Sequence, residues 1–103
     1  MAQWHEIGPT SDIADGHYQS VEVDDIPLLV FHLDGSFYAL EDRCTHDDAE
    51  LDGGTIENGC IKCPRHGACF DIKTGDALSA PAYEPTDSFE CQVIDGMIQV
   101  NLA

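Results

Sequence analysis

Two Asp-Gly pairs, each between short apolar runs, constrain the fold of this chain more than any other feature. Asp34-Gly35 separates Leu28–Phe31 from Phe37–Leu40, and Asp95-Gly96 lies between two similar runs. Such a pair favours a tight hairpin turn, because the central residues of that turn adopt positive φ. No window carries apolar residues at helical spacing. The pattern predicts an all-β fold, a small antiparallel β-sandwich or barrel.

Length and charge limit the function further. The chain has 103 residues, which predicts a single domain over 1–103 and leaves no room for separate cofactor and substrate domains. Four Lys+Arg against 20 Asp+Glu give a formal net charge of −16. This charge argues against nucleic acid and anionic membranes as partners, because both bind basic surfaces. Since 43% of the residues are hydrophobic, the chain can still form a core.

The N-terminal segment and the apolar runs indicate the compartment. Residues 1–20 lack the basic and apolar regions of a signal peptide. The longest apolar run, Ile26–Phe31, falls far short of the ~18 residues that span a membrane. We therefore expect a soluble, cytoplasmic protein, and its strong charge favours a monomer.

Two irregular segments, at about 43–59 and 63–70, interrupt the β pattern. Long irregular segments in a small domain are usually functional. The first contains Cys44-Thr45-His46 and the second contains Cys63-Pro64-Arg65-His66, a spacing of C-x-H-x16-C-x2-H. Four potential ligands of two kinds, supplied as two mixed pairs, predict a metal centre.

The mixing of ligands within each pair discriminates between metals. A Cys2His2 zinc site normally takes its cysteines from one C-x2–4-C pair. In a two-iron Rieske centre, two cysteines bind one iron and two histidines bind the other, which accounts for mixed pairs. The zinc alternative uses four residues at intervals of three: Cys60, Cys63, His66 and Cys69. It leaves Cys44 and His46 unexplained.

The two mixed pairs resemble the cluster-binding signature of Rieske proteins. The residues that follow, His66–Asp71, Thr74-Gly75 and Pro81-Ala82, resemble the small Rieske ferredoxins of bacterial aromatic-ring-hydroxylating dioxygenases. The resemblance extends from about Trp4 to Leu102. It implies a β-sandwich with two cluster-binding loops at one tip and one Rieske-type [2Fe-2S] cluster.

The same resemblance implies the ligands and the function. Cys44 and Cys63 correspond to the ligands of the buried iron, and His46 and His66 to those of the solvent-facing iron. The chain would then be a soluble electron carrier, not an enzyme. It would pass single electrons from a flavin-containing, NAD(P)H-dependent reductase to a terminal dioxygenase. The alternative is a small Rieske subunit of another oxidoreductase complex.

Departures from the respiratory Rieske proteins predict a low reduction potential. Those proteins carry an extra disulfide, whose positions correspond here to Ala49 and Arg65. They also place two hydroxyl groups near the sulfurs, where Ala68 and Phe70 stand here. Donors to sulfur stabilise the added electron, so we expect a potential near the low end of the Rieske range, roughly −150 mV.

The remaining candidates are less specific. Acidic residues follow the first pair, and they can steer a basic partner or simply be solvated: Asp47, Asp48, Glu50 and Asp52. Three further cysteines are expected to be small core residues: Cys60, Cys69 and Cys91. Three glycines suit tight loops whose N–H groups could point at sulfur: Gly53, Gly54 and Gly67.

Overall fold

The computed structural model describes residues 2–45, 50–65, 67–80 and 82–102. Across these ranges the fold is all-β, as the sequence predicts, with ten strands and one 3-10 helix. The strands are β1 (Trp4–Pro9), β2 (His17–Val23), β3 (Ile26–Leu33), β4 (Ser36–Glu41), β5 (Thr55–Glu57), β6 (Cys60–Lys62), β7 (Cys69–Asp71), β8 (Ser88–Phe89), β9 (Cys91–Ile94) and β10 (Met97–Asn101). The 3-10 helix is Thr10–Asp12. No helix within the described ranges is long and apolar enough to cross a membrane.

The strands form three antiparallel sheets. Their orders are β1-β10-β9, β2-β3-β4-β8 and β5-β6-β7. Both predicted Asp-Gly turns are confirmed: Asp34-Gly35 joins β3 to β4, and Asp95-Gly96 joins β9 to β10. A third hairpin, between β2 and β3, turns at Asp24-Asp25, where both residues adopt positive φ. Aspartate tolerates this conformation better than most residues.

The prediction of an irregular segment over 43–59 is wrong at its C-terminal end. Strand β5 forms there and pairs with β6 through a turn at Asn58-Gly59. Asn-Gly is a strong hairpin signal, but a three-residue strand is too short to show an alternating pattern. The second segment, 63–70, likewise overlaps the start of β7.

Strand β3 lies at the centre of the core because it is apolar on both faces. Leu28 and Val30 pack toward the β1-β10-β9 sheet, where they meet Ile98 and Val100. The alternate side chains of β3 pack into a second buried cluster that reaches the β5-β6-β7 sheet. The middle sheet is therefore covered on both faces, and the second cluster extends to the two predicted metal-binding segments.

Candidate metal centre

The structure brings the two predicted cysteine ligands into one buried cluster. Cys44 is 1% exposed and Cys63 is 2% exposed. Both belong to the apolar cluster that contains Ile61, Ala68 and Phe70. Cysteines 19 positions apart in sequence thus reach the same part of the core, as a shared iron would require.

The segment 63–68, here called the second loop, is held by backbone hydrogen bonds across its base. The N–H of Cys63 donates to the carbonyl of Ala68 at 2.7 Å. The N–H of Gly67 donates to the carbonyl of Cys63 at 3.1 Å. These bonds continue the β6–β7 hairpin and orient the Cys63 backbone independently of its thiol.

The segment 43–54, here called the first loop, is closed by a side chain that the sequence analysis did not identify. Asp42 is only 6% exposed, and its Oδ1 accepts hydrogen bonds from the N–H groups of Leu51 at 2.6 Å and Asp52 at 2.9 Å. Its own N–H donates to the carbonyl of Pro27. Asp42 therefore ties both ends of the loop that contains Cys44 to the end of β4.

Replacing Asp42 with alanine is expected to lower the free energy of unfolding by about 2 kcal/mol, because the buried Leu51 N–H loses its partner. Thermal unfolding followed by circular dichroism measures the change. Asp42→Asn keeps an Oδ1 acceptor and should lose much less. An alanine variant within about 0.5 kcal/mol of the parent, as at an ordinary surface position, would contradict this role.

The first loop also packs closely against the strand that leads into the second. A Cβ at Gly54 would lie 2.2 Å from the carbonyl oxygen of Lys62, so only glycine permits this approach. The Tyr18 hydroxyl donates to the Gly54 carbonyl and accepts from the Gly53 N–H. A groove of about 400 Å³ runs between the loops and is lined in part by Cys63 and Gly67.

The N–H groups of the three loop glycines, Gly53, Gly54 and Gly67, are all hydrogen-bonded within the protein. Those groups donate to oxygen atoms: Gly53 to the Tyr18 hydroxyl, Gly54 to the Leu51 carbonyl and Gly67 to the Cys63 carbonyl. The tight geometry itself is confirmed, since Gly53 and Gly67 have positive φ.

Two residues without hydroxyl groups lie beside the buried cysteines, at the positions where the respiratory Rieske proteins carry hydroxyls. Ala68 and Phe70 are both fully buried in the same cluster. The hydroxyls of Tyr18 and Thr45 donate instead to backbone carbonyls, Thr45 to that of Glu84 at 2.7 Å. The packing is consistent with an apolar setting for the sulfur atoms.

The predicted histidine ligands, His46 and His66, lie outside the described residues. So do Asp47, Asp48 and Ala49 of the first loop. The structure describes the other two acidic residues, whose carboxylates lie within 4.8 Å of that of Asp42: Glu50 and Asp52. Arg65 is described and lies half-way along the second loop.

The zinc alternative does not fit the hairpin. Cys60 and Cys69 lie on one face of β6–β7, whereas Cys63 packs with Ile61 and Phe70 on the other. Within the described ranges, no three of the cysteines come together as potential ligands of one metal ion. The three cysteines of the zinc alternative therefore do not meet at one tetrahedral site.

The expectation for the other cysteines is only partly correct. Cys60 is buried, whereas Cys69 and Cys91 are half-buried, and of these two Cys91 packs against a core cluster. None of the five cysteines, all within the described ranges, is in a disulfide. Burial raises the pKa of the Cys91 thiol to about 12, with a smaller contribution from Glu90. This thiol is therefore protonated and suited to packing.

The donor set fits the cysteine half of a Rieske centre. Two deeply buried thiols on adjacent loops can bind one iron, and the loops continue to His46 and His66. Imidazoles at those positions would complete the other half.

Comparisons with known proteins agree with this geometry. The family model of the Rieske [2Fe-2S] domain matches residues 3–90. The anthranilate 1,2-dioxygenase ferredoxin subunit of Burkholderia cepacia is 31% identical, over 99% of this chain and 94% of that protein. Ferredoxin CarAc of Metapseudomonas resinovorans is 38% identical, over 94% of this chain and 92% of that protein.

A solved structure shows the same fold. It is a complex of reduced oxygenase and oxidized ferredoxin in carbazole 1,9a-dioxygenase. The matching chain is 37% identical, with a TM-score of 0.88 over 95% of this chain and 92% of its own length. Both relatives named above are thus ferredoxins.

Proposed function

The chain belongs to the Rieske [2Fe-2S] domain family, and we propose that it carries single electrons to the terminal oxygenase of an aromatic dioxygenase system. The observation that supports this most is the placement of Cys44 and Cys63 in one buried cluster, on two loops that approach each other. The related ferredoxins over nearly the whole chain support the same assignment.

We further propose that Cys44, His46, Cys63 and His66 are the ligands of its one Rieske-type cluster. When bound, the cluster accepts one electron and releases it again. The protein's own part is to hold the two thiolates in place. On the first loop this depends on the hydrogen bonds that Asp42 accepts, and on the second it depends on the hydrogen bond from Cys63 to Ala68. Fixed ligands limit the rearrangement that accompanies electron transfer.

The proposed electron donor is a flavin-containing, NAD(P)H-dependent reductase, and the proposed acceptor is a non-haem iron oxygenase. The ferredoxin relatives support a dedicated carrier, because this chain spans 94% and 92% of their length. Its charge of −16 supports partners whose docking surfaces are basic, since opposite charges accelerate encounter.

Stopped-flow electron transfer tests this function. The reduced protein is mixed with a terminal oxygenase from an aromatic dioxygenase system, and the reoxidation of the ferredoxin is followed by its visible absorbance. We expect reoxidation whose bimolecular rate falls steeply as ionic strength rises, because salt screens long-range attraction. Failure to reoxidise with every such oxygenase tried would contradict the proposed acceptor, and a salt-independent rate would contradict charge steering.

Substituting Phe70 with tyrosine is expected to raise the reduction potential. A hydroxyl donating to a cluster or ligand sulfur stabilises the reduced state, and a hydrogen bond worth about 1 kcal/mol corresponds to roughly 40 mV for one electron. Direct electrochemistry measures the shift from a starting value of roughly −150 mV. Phe31→Tyr, fully buried in the same cluster but on β3, is the matched control and should shift far less. An equal shift in both variants, or none at Phe70, would count against the proposed position of the cluster.

A further inference from the structure

A second pair of cysteines lies together on the β6–β7 hairpin, outside the proposed cluster site. Cys60 is directly opposite Asp71, and Cys69 is directly opposite Lys62. Residues opposite one another, and residues two apart on one strand, share a face of the sheet. The two thiols are therefore diagonal neighbours on one face, close enough for Cys69 to add to the rise in pKa that burial gives Cys60.

We propose that Cys60 and Cys69 form a redox-active dithiol, which a small-molecule disulfide such as glutathione disulfide converts reversibly into an intramolecular disulfide. This activity is separate from electron transfer through the cluster. It uses two thiols that the proposed ligand set leaves unused, on the opposite face of the hairpin from Ile61, Phe70 and Cys63.

The exposure of the two thiols assigns their order of reaction. Cys69 is half-buried and accessible, whereas Cys60 is 6% exposed. The Cys69 thiolate attacks one sulfur of glutathione disulfide, which forms a mixed disulfide and releases one glutathione. The Cys60 thiol then attacks the Cys69 sulfur, loses its proton and releases the second glutathione. The two electrons of the protein dithiol thus pass to glutathione disulfide, which becomes two glutathione molecules.

The electrostatic setting supports the same order. The pKa of the Cys60 thiol is raised to about 12. The main cause is burial, and the neighbouring Cys69 and the charges of Glu57 and Asp71 add to it. Cys60 is therefore protonated at neutral pH and unsuited to make the first attack, since the thiolate is the nucleophile. Cys60 can resolve a mixed disulfide because it lies beside Cys69, whose repulsion of the Cys60 thiolate ends once Cys69 is bound to glutathione.

Strand geometry predicts that this disulfide is easily reduced. Diagonal partners in an antiparallel pair are about 7–8 Å apart, somewhat more than the usual Cα separation across a disulfide. The hairpin must shear slightly to close the bond, and β6 and β7 have only three residues each. A strained disulfide has a higher, more oxidising potential and exchanges reversibly.

The position of the pair gives it a structural consequence. Cys60 lies three residues before Cys63, and Cys69 directly follows Ala68, whose carbonyl accepts from the Cys63 N–H. A bond between Cys60 and Cys69 would close the hairpin at the base of the second loop. The two strands that flank the second loop would then be linked by a covalent bond.

Thiol mapping of the cluster-loaded protein tests the proposal. The protein is equilibrated without oxygen in a mixture of reduced and oxidised glutathione, quenched with acid, alkylated and digested. Trypsin cuts after Lys62 and Arg65, which places Cys60 and Cys69 on separate peptides. We expect loss of two alkylatable thiols and one linked pair of peptides. Because Cys44 shares the peptide of Cys60, fragment sequencing locates the bond.

Three serine variants separate the roles of the cysteines. Cys60→Ser should accumulate glutathione on Cys69, because the resolving thiol is absent. Cys69→Ser should show neither adduct nor bridge, and Cys91→Ser should behave as the parent does. Retained visible absorbance shows that each variant is folded with its cluster, and Cys60→Ala replaces the serine variant if that one does not fold.

Two results would overturn the proposal. One is a parent protein that keeps both thiols free in oxidised glutathione. The other is a Cys60→Ser variant without a glutathione adduct on Cys69. Neither result would bear on the proposed electron transfer, which is measured separately through the cluster absorbance.

Discussion

Cys63→Ala is expected to abolish cluster binding while leaving the fold in place. The Cys63 thiol is the proposed ligand, whereas the loop around it is held by backbone bonds to Ala68 and Gly67. Removing the thiolate therefore removes an iron ligand without removing the bonds that shape the loop. Iron and acid-labile sulfide content, together with visible absorbance, should fall to background. Circular dichroism should still show a β-rich protein.

Cys91→Ala is the matched control for this substitution. Like Cys63→Ala, it removes one thiol group, but from a half-buried position on β9 that packs against the other hydrophobic cluster. This variant should retain full iron and sulfide content. A Cys63→Ala protein with an intact cluster, or a Cys91→Ala protein without one, would show that the ligands are assigned wrongly.

Gly54→Ala is expected to give the largest loss of stability among single-residue changes in the loops. Its Cβ would lie 2.2 Å from the Lys62 carbonyl oxygen and 3.0 Å from that of Leu51. These are backbone atoms of β6 and of the first loop itself, so the first loop must move away from β6 to accept it. We expect a loss of roughly 3 kcal/mol, at the upper end of overpacking costs. Thermal unfolding should show it as a drop of about 4–8 °C per kcal/mol.

Gly59→Ala distinguishes this close approach from backbone strain. Gly59 has a φ of +80°, and no atom lies within 4 Å of its added Cβ. Its substitution therefore costs only the left-handed conformation, about 1 kcal/mol. The Gly54 variant should be clearly less stable than the Gly59 variant. Equal stability of the two would contradict the claim that Gly54 is needed for the contact between the first loop and β6.

The parts of the fold that were predictable are those encoded by neighbouring residues. The Asp34-Gly35 and Asp95-Gly96 turns follow from dipeptide chemistry and from the apolar runs beside them. Strand β5 was missed because its three residues lie in a polar, acidic stretch. The Asn58-Gly59 dipeptide was the local signal that could have revealed it.

In the candidate site, too, some residues could be predicted from the sequence and others could not. Cys44 and Cys63 were predictable because their spacing with His46 and His66 forms a recognisable pattern. The supporting role of Tyr18 was not, because it depends on a contact with residues 35 and 36 positions away. Asp42 precedes the first loop in sequence, but its partners become apparent only when the loop folds back on β4. Supporting contacts of this kind depend on tertiary structure.

The electron paramagnetic resonance spectrum of the chemically reduced protein tests the central claim most directly. Mixed ligation, with thiolates on one iron and imidazoles on the other, makes the two irons inequivalent. We predict a rhombic signal with a low average g value from the iron-loaded, reduced sample. An iron-loaded, reduced sample without that signal, or with the signal of a cluster bound only by cysteines, would contradict the assignment of Cys44, His46, Cys63 and His66.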